Sequence, residues 1–60
     1  MINWQPLPPP RNDHYMILIE SDDEPGELLH YFDIAKYKDG TWYNDWLDDH
    51  NWIIKYSEIS

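Results

Sequence analysis

Sixty residues, with twelve acidic side chains against four basic ones and a formal net charge of −8, make at most one small domain. That charge argues against direct binding to nucleic acid, whose phosphates need Lys and Arg, and against docking on anionic membranes. The absence of cysteine excludes disulfides and thiolate zinc sites, so the four Trp, five Tyr and one Phe must supply buried area instead, at about 150–250 Å² each.

The chain opens "MINWQPLPPPRND". Prolines at 6, 8, 9 and 10 preclude a helix and favour an extended, polyproline-like path. Residues 1–14 therefore read as a proline-rich arm that lays Trp4 and Leu7 over the core of a single 1–60 domain. "YMILIES" (15–21) is the strongest strand, an apolar run without alternation. Such a run suits a central strand covered on both faces, or on one face by the arm. The acidic loop "ESDDEPGE" (20–27) follows, with Pro25-Gly26 as its turn.

"LLHYFDIAKYK" (28–38) predicts a second, longer strand. Leu29, Tyr31, Asp33, Ala35 and Tyr37 point one way, and Leu28, His30, Phe32, Ile34 and Lys36 the other. Neither set is cleanly apolar, which predicts a bulge near Phe32-Asp33. "KDGT" (38–41) is a hairpin signal, because Asp-Gly suits the positive φ angles of a type I′ turn. "TWYND" (41–45) is the third strand. "DWLDDHN" (45–51) reads either as one short helical turn capped by Asn44 or Asp45, or as an irregular loop. "WIIKYSEI" (52–59) closes the chain as a strand, with Trp52, Ile54 and Tyr56 on one face and Ile53 and Lys55 on the other. The expected fold is mainly β, a small antiparallel meander of three to four strands with an extended proline-rich N-terminal arm.

Trp4, Leu7 and Pro8 form a W-x-x-L-P opening, and Ile17 to Ile19 an apolar strand. Ile34, Ala35, Tyr37, Asp39, Gly40 and Trp42 form an I-A-x-Y-x-D-G-x-W hairpin, and Ile54 and Tyr56 lie in the closing strand. This order resembles a short phage- and prophage-associated family of unknown function. What the resemblance implies is a phage or prophage origin and a small β-rich domain; it brings no catalytic residue with it.

Little points to catalysis or to a cofactor. His14, His30 and His50 are not at metal-ligand spacing from one another. Asp48, Asp49 and His50 lie together but lack the D-x-D-x-D-G order of a calcium loop, and read as a solvated polar loop. Ser21, Thr41, Ser57 and Ser60 sit in turn or terminal positions, away from a base that would activate them. Gly26 and Gly40 are the only glycines, so no Gly-rich phosphate cradle exists. A chain this short rarely encloses the roughly 300 Å³ pocket an active site needs. The expectation is a non-enzyme without metal or cofactor.

Binding is the remaining class. Ten aromatics exceed what so small a core can hide, and exposed Trp and Tyr among carboxylates suit a binding surface. Trp4 and Trp42 read as core, Trp46 as surface. Glu20, Asp22, Asp23, Glu24 and Glu27, with Asp45, Trp46, Asp48 and Asp49, are the expected partner-binding residues. The partner expected is a host protein with a basic surface, in defence or nucleic-acid handling. It would be inhibited by carboxylates that stand in for the phosphates of DNA. The alternative is a self-associating accessory module, acidic only for solubility. A homodimer fits either, because a second subunit commonly stabilises so small a chain. The apolar run at 15–19 falls far short of the ~20 residues of a membrane span. No basic stretch followed by an apolar one marks a leader, so the cytoplasm is the expected compartment.

Overall fold

The computed structural model describes residues 2–59; Met1 of the arm and Ser60, weighed above as a hydroxyl, lie outside them. Five strands form one antiparallel sheet: β1 (Gln5–Pro6), β2 (Asp13–Ser21), β3 (Leu29–Lys38), β4 (Thr41–Tyr43) and β5 (Asn51–Glu58). Their order across the sheet is β1-β5-β2-β3-β4. The mainly β expectation holds, and β2, β3 and β4 follow one another as hairpins. The last strand leaves the meander: it returns across the sheet to pair with β2, from Tyr15 opposite Glu58 to Ser21 opposite Asn51. β4 explains this choice, since three residues offer little ladder to a fifth strand, whereas β2 is nine residues long with a whole edge to fill.

β2 is thus paired on both sides, and its side chains alternate. Tyr15, Ile17, Ile19 and Ser21 are fully buried; Met16, Leu18 and Glu20 on the opposite face are half-buried. The register places Ala35 beside Tyr15 and Tyr31 beside Ile19, so the odd-numbered residues of β3 share the core face, as their spacing predicts. Tyr31, Trp42, Leu47 and Ile53 pack over Ile17, Ile19 and Ala35. At the hairpin end the core is aromatic. Tyr15 meets Trp42 and Tyr56 edge-on, with ring centroids 6.0 and 5.1 Å apart, and Tyr37 lies 4.9 Å from Trp42. The Tyr15 hydroxyl donates to the Arg11 carbonyl at 2.7 Å, which ties the end of the arm to the core. Burial, the largest influence on it, pushes the Tyr15 pKa above the ordinary tyrosine value, so the group stays protonated and keeps its donor.

Both turns follow their sequence chemistry. Asp39 and Gly40 have φ of 51° and 83°, the pair of positive values a type I′ hairpin needs. The Glu27 amide donates to the Glu24 carbonyl at 3.1 Å around Pro25 and Gly26. The φ of 81° at Gly26 is what a type II turn requires at its third position.

One local expectation is overturned, and two open points are decided. The bulge lies in β5 and not near Phe32-Asp33: Lys55 faces Leu18 while Ile53 faces Ile19, leaving Ile54 as the extra residue. An extra residue reverses the alternation beyond it. Ile53 therefore joins Tyr56 on the core side, and Trp52, opposite Glu20, goes to the other face. Residues 45–50 form no helix, because side chains capture the amides a helix would use. Asn44 Oδ1 accepts from the Trp46 N–H at 2.8 Å and Asp48 Oδ1 from the His50 N–H at 2.7 Å. The arm pairs as β1 with Tyr56 and Lys55 and then bends, so it is not a continuous polyproline helix. Pro9 is the arm residue that becomes buried. Trp4 stacks on Phe32 across the second face, with centroids 5.8 Å apart, and is half-buried there. Leu7 stays largely exposed.

Two substitutions test this core. Ile17→Val removes one methyl group from a fully enclosed site and should cost about 0.5–1.5 kcal/mol, read as a lower urea midpoint with an unchanged m-value. Tyr15→Phe leaves the Arg11 carbonyl without its donor and should cost about 0.5–1.5 kcal/mol in the same assay.

Candidate functional site

Pairing between Ser21 and Asn51 brings two loops out at the same end of the sheet: 22–28, between β2 and β3, and 44–50, between β4 and β5. They are bonded to each other. The Asp22 amide donates to the His50 carbonyl at 3.0 Å, and His50 Nδ1 lies 3.0 Å from Asp22 Oδ1. Each loop is also braced from within. The Asp23 amide donates to Ser21 Oγ at 3.4 Å, and that hydroxyl donates to Asp23 Oδ2 at 3.3 Å. Asn51 Nδ2 donates to the Trp46 carbonyl and to Asp48 Oδ1, both at 3.2 Å. Asn51 is 3% exposed, and its Oδ1 is a buried acceptor with no partner among the described residues.

Six of the nine expected binding residues therefore share one end. Asp22 bonds the His50 ring, Asp48 its amide, and the charge of Asp23 acts on the same ring, while Glu24, Glu27 and Asp49 project from the same two loops as exposed groups. Glu20 is displaced from them: it lies on the second face of the sheet, with His30 Nε2 at 3.2 Å. Asp45 stands apart as well. It lines an open groove with Asp33, Tyr43 and Trp46 on the β4 side, where Asn44 Nδ2 donates to Asp33 Oδ2 at 3.1 Å and to the Ile34 carbonyl at 3.0 Å. Trp46 is both surface and cover: its ring meets Tyr31 edge-on at 4.8 Å while 44% of the residue stays exposed.

The basic residues lie elsewhere. Arg11 bonds Glu58 at 2.9 Å and approaches Asp13 at 3.9 Å, at the far end of β2. Lys36 and Lys38 flank the Asp39–Gly40 hairpin at that same end, and Lys55 lies midway along β5, beside Leu18. The negative charge of the two loops thus has no lysine or arginine partner within its own end among the described residues, and the molecule is charged unevenly from one end to the other.

His50 is the residue of this end that sequence reasoning left in a polar loop, without its partner Asp22. Its neighbours Asp48 and Asp49 suggested a polar loop, but its partner is 28 positions away and only strand pairing reveals it. Among the described residues, no group of three His, Asp or Glu side chains could hold a metal, and no helix is long and apolar enough to cross a membrane. Asn44 had a signal that a cap assignment obscured, since an Asn two residues before a turn amide commonly forms this side-chain turn without any helix.

The His50 imidazole is held above the ordinary histidine pKa. The cause is first its hydrogen bond to Asp22 and then the charge of that carboxylate, opposed by desolvation, with lesser support from the charges of Asp23 and Asp48. Comparison with known protein families, curated proteins and solved structures gives no match to this chain.

Because the folded-state pKa is raised, the protonated imidazole is the form that joins the loops. Its contribution is complete below the unfolded value of about 6.5 and is lost as pH rises through the raised value. In an NMR titration the His50 ring signals should therefore have a midpoint above that of an unstructured histidine. Asp22→Asn should return the midpoint towards the ordinary value; a midpoint that Asp22→Asn leaves in place would show that the contact does not form in solution.

Proposed function

We propose that this chain is a non-enzymatic binding protein that inhibits a partner with a basic surface, using the acidic end formed by loops 22–28 and 44–50. The observation that carries the reading is the Asp22–His50 contact, which joins two acidic loops, distant in sequence, into one surface on the end of a rigid sheet. A cluster fixed in this way presents carboxylates at set positions, as a nucleic acid presents phosphates. A partner built to bind phosphates would meet it with Lys and Arg. Trp46, exposed beside this end, adds the kind of aromatic group that anchors interfaces.

The charge favours a basic surface on the partner, which on this reading is a nucleic-acid-handling or defence protein of the host, bound by DNA mimicry, with no direct contact to nucleic acid by this chain. The resemblance of the W-x-x-L-P and I-A-x-Y-x-D-G-x-W segments to a phage- and prophage-associated family would make the origin a phage or prophage and the place of action the cytoplasm of a bacterial host. A second reading is an accessory module whose acidity serves solubility alone. It has in its favour the exposed apolar groups on the other face of the sheet.

The test is affinity purification of the full chain from host cells, beside the variant Glu24→Lys/Glu27→Lys/Asp49→Lys. These three side chains make no hydrogen bond within the protein among the described residues, so the fold should not change. Proteins captured by the wild type should be lost with the variant and released as salt is raised, because exposed charges are screened over about 10 Å at 0.1 M salt. The wild type should also displace nucleic acid from the captured protein. Capture that neither the variant nor salt alters would sink the charge-driven reading.

A further inference from the structure

The second face of the sheet has an order of its own. The register sets His14 beside Lys36, Met16 beside Ile34, Leu18 beside Phe32 and Glu20 beside His30, while β5 adds Lys55 beside Leu18 and Trp52 beside Glu20. From the Asp39–Gly40 hairpin towards the acidic loops, this face is therefore basic, then apolar across β2 and β3 with Lys55 at its β5 side, then acidic where Glu20 holds His30. The arm covers only part of it. Trp4 stacks on Phe32, yet Phe32 remains 65% exposed, Ile34 54% and Trp52 36%. A sheet buries a face by packing it on a second layer, and the described residues form no such layer on this side.

We infer that this face packs against the same face of a second copy, in an isologous dimer whose two-fold axis lies between the sheets and runs across the strands. That axis is selected by charge. It reverses strand direction between the copies, lays the apolar rows over each other, and sets His14 and Lys36 of each copy over the Glu20–His30 end of the other. An axis along the strands would instead lay the basic end of each copy over the basic end of the other. Packed sheets lie about 10 Å apart, within reach for the Lys36 ammonium and the partner's Glu20.

The area suffices as well. The whole chain measures 35 by 26 Å along its two longer axes, which bounds the face at about 900 Å², so an interface of the standard size of roughly 800 Å² per partner uses most of it. The edge strands themselves offer less, since β1 is two residues long and includes Pro6 and β4 has three residues; residues 29–35 of β3 have no strand partner on their outer side among the described residues, and there Asn44 Nδ2 takes the Ile34 carbonyl. Short or proline-bearing edges discourage strand pairing. The dimer holds whether or not the acidic end binds a basic partner, and the two readings fail separately.

Sedimentation velocity of the full chain at low salt, over a range of concentrations, decides the matter. The wild type should shift from monomer to dimer as concentration rises. Glu20→Lys and Lys36→Glu should each weaken association by about tenfold, and the double variant should regain it, because the two positions pair across the axis. Ile34→Glu, at a side chain exposed in the single chain, should weaken association by at least about tenfold, with circular dichroism showing that each variant is folded. A wild type that stays monomeric throughout overturns the inference. So does a dimer indifferent to Ile34→Glu, or a double variant that associates no better than either single one.

Discussion

A single sheet has two faces, and sixty residues contain enough chain to cover one of them well. The structure is organised around that constraint. β2 takes the centre, with β5 and β3 on its flanks, and sends Tyr15, Ile17, Ile19 and Ser21 to the face that is covered. The cover comes from Trp42 on β4 and from Leu47 in the 44–50 loop. That loop must cross the core face to bring β5 back to β2, so the same peptide closes the core and supplies half of the acidic end. The small core is rich in rings because rings bury the most area for each residue ordered.

The return of β5 also decides where charge accumulates. Had β5 continued the meander beyond β4, its leading loop would emerge about two strand spacings, roughly 10 Å, from the loop between β2 and β3. Pairing with β2 brings Asp22 against His50 and brings the charges of Asp23 and Asp48 to bear on the same imidazole. Like charges brought together cost free energy, and protonated His50 offsets part of that cost at the place where the loops touch. Lys36, Lys38 and Arg11 are held at the other end by the length of β2 and β3, too far to neutralise the loops.

The uncovered face is the other consequence of the same limit. Trp4 shields part of it, but the arm is short and must also pair as β1 and bring Pro9 into a buried position before β2 begins. Phe32 and Ile34 are left in water, in a band bounded by lysines at one end and by Glu20 at the other. The acidic end and the apolar face are thus separate surfaces, and a partner on one leaves the other to be accounted for.

Features written in neighbouring residues were legible from the sequence. Asp39-Gly40 and Pro25-Gly26 form the turns their side chains favour, since positive φ is a local property that glycine permits and other residues resist. The 15–21 and 28–38 strands and the core-facing set from Leu29 to Tyr37 follow from apolar content and a period of two. The acidity of both loops and the exposure of Trp46 were also plain. What the tertiary structure alone decided depends on which strand lies beside which. The choice of β2 over β4 as partner for β5 came from the whole lengths of both strands. The extra residue at Ile54 came from fitting β5 to that partner, and it exchanged the faces of Ile53 and Trp52. The contact between Asp22 and His50 came from the resulting register, which no segment of the chain contains by itself.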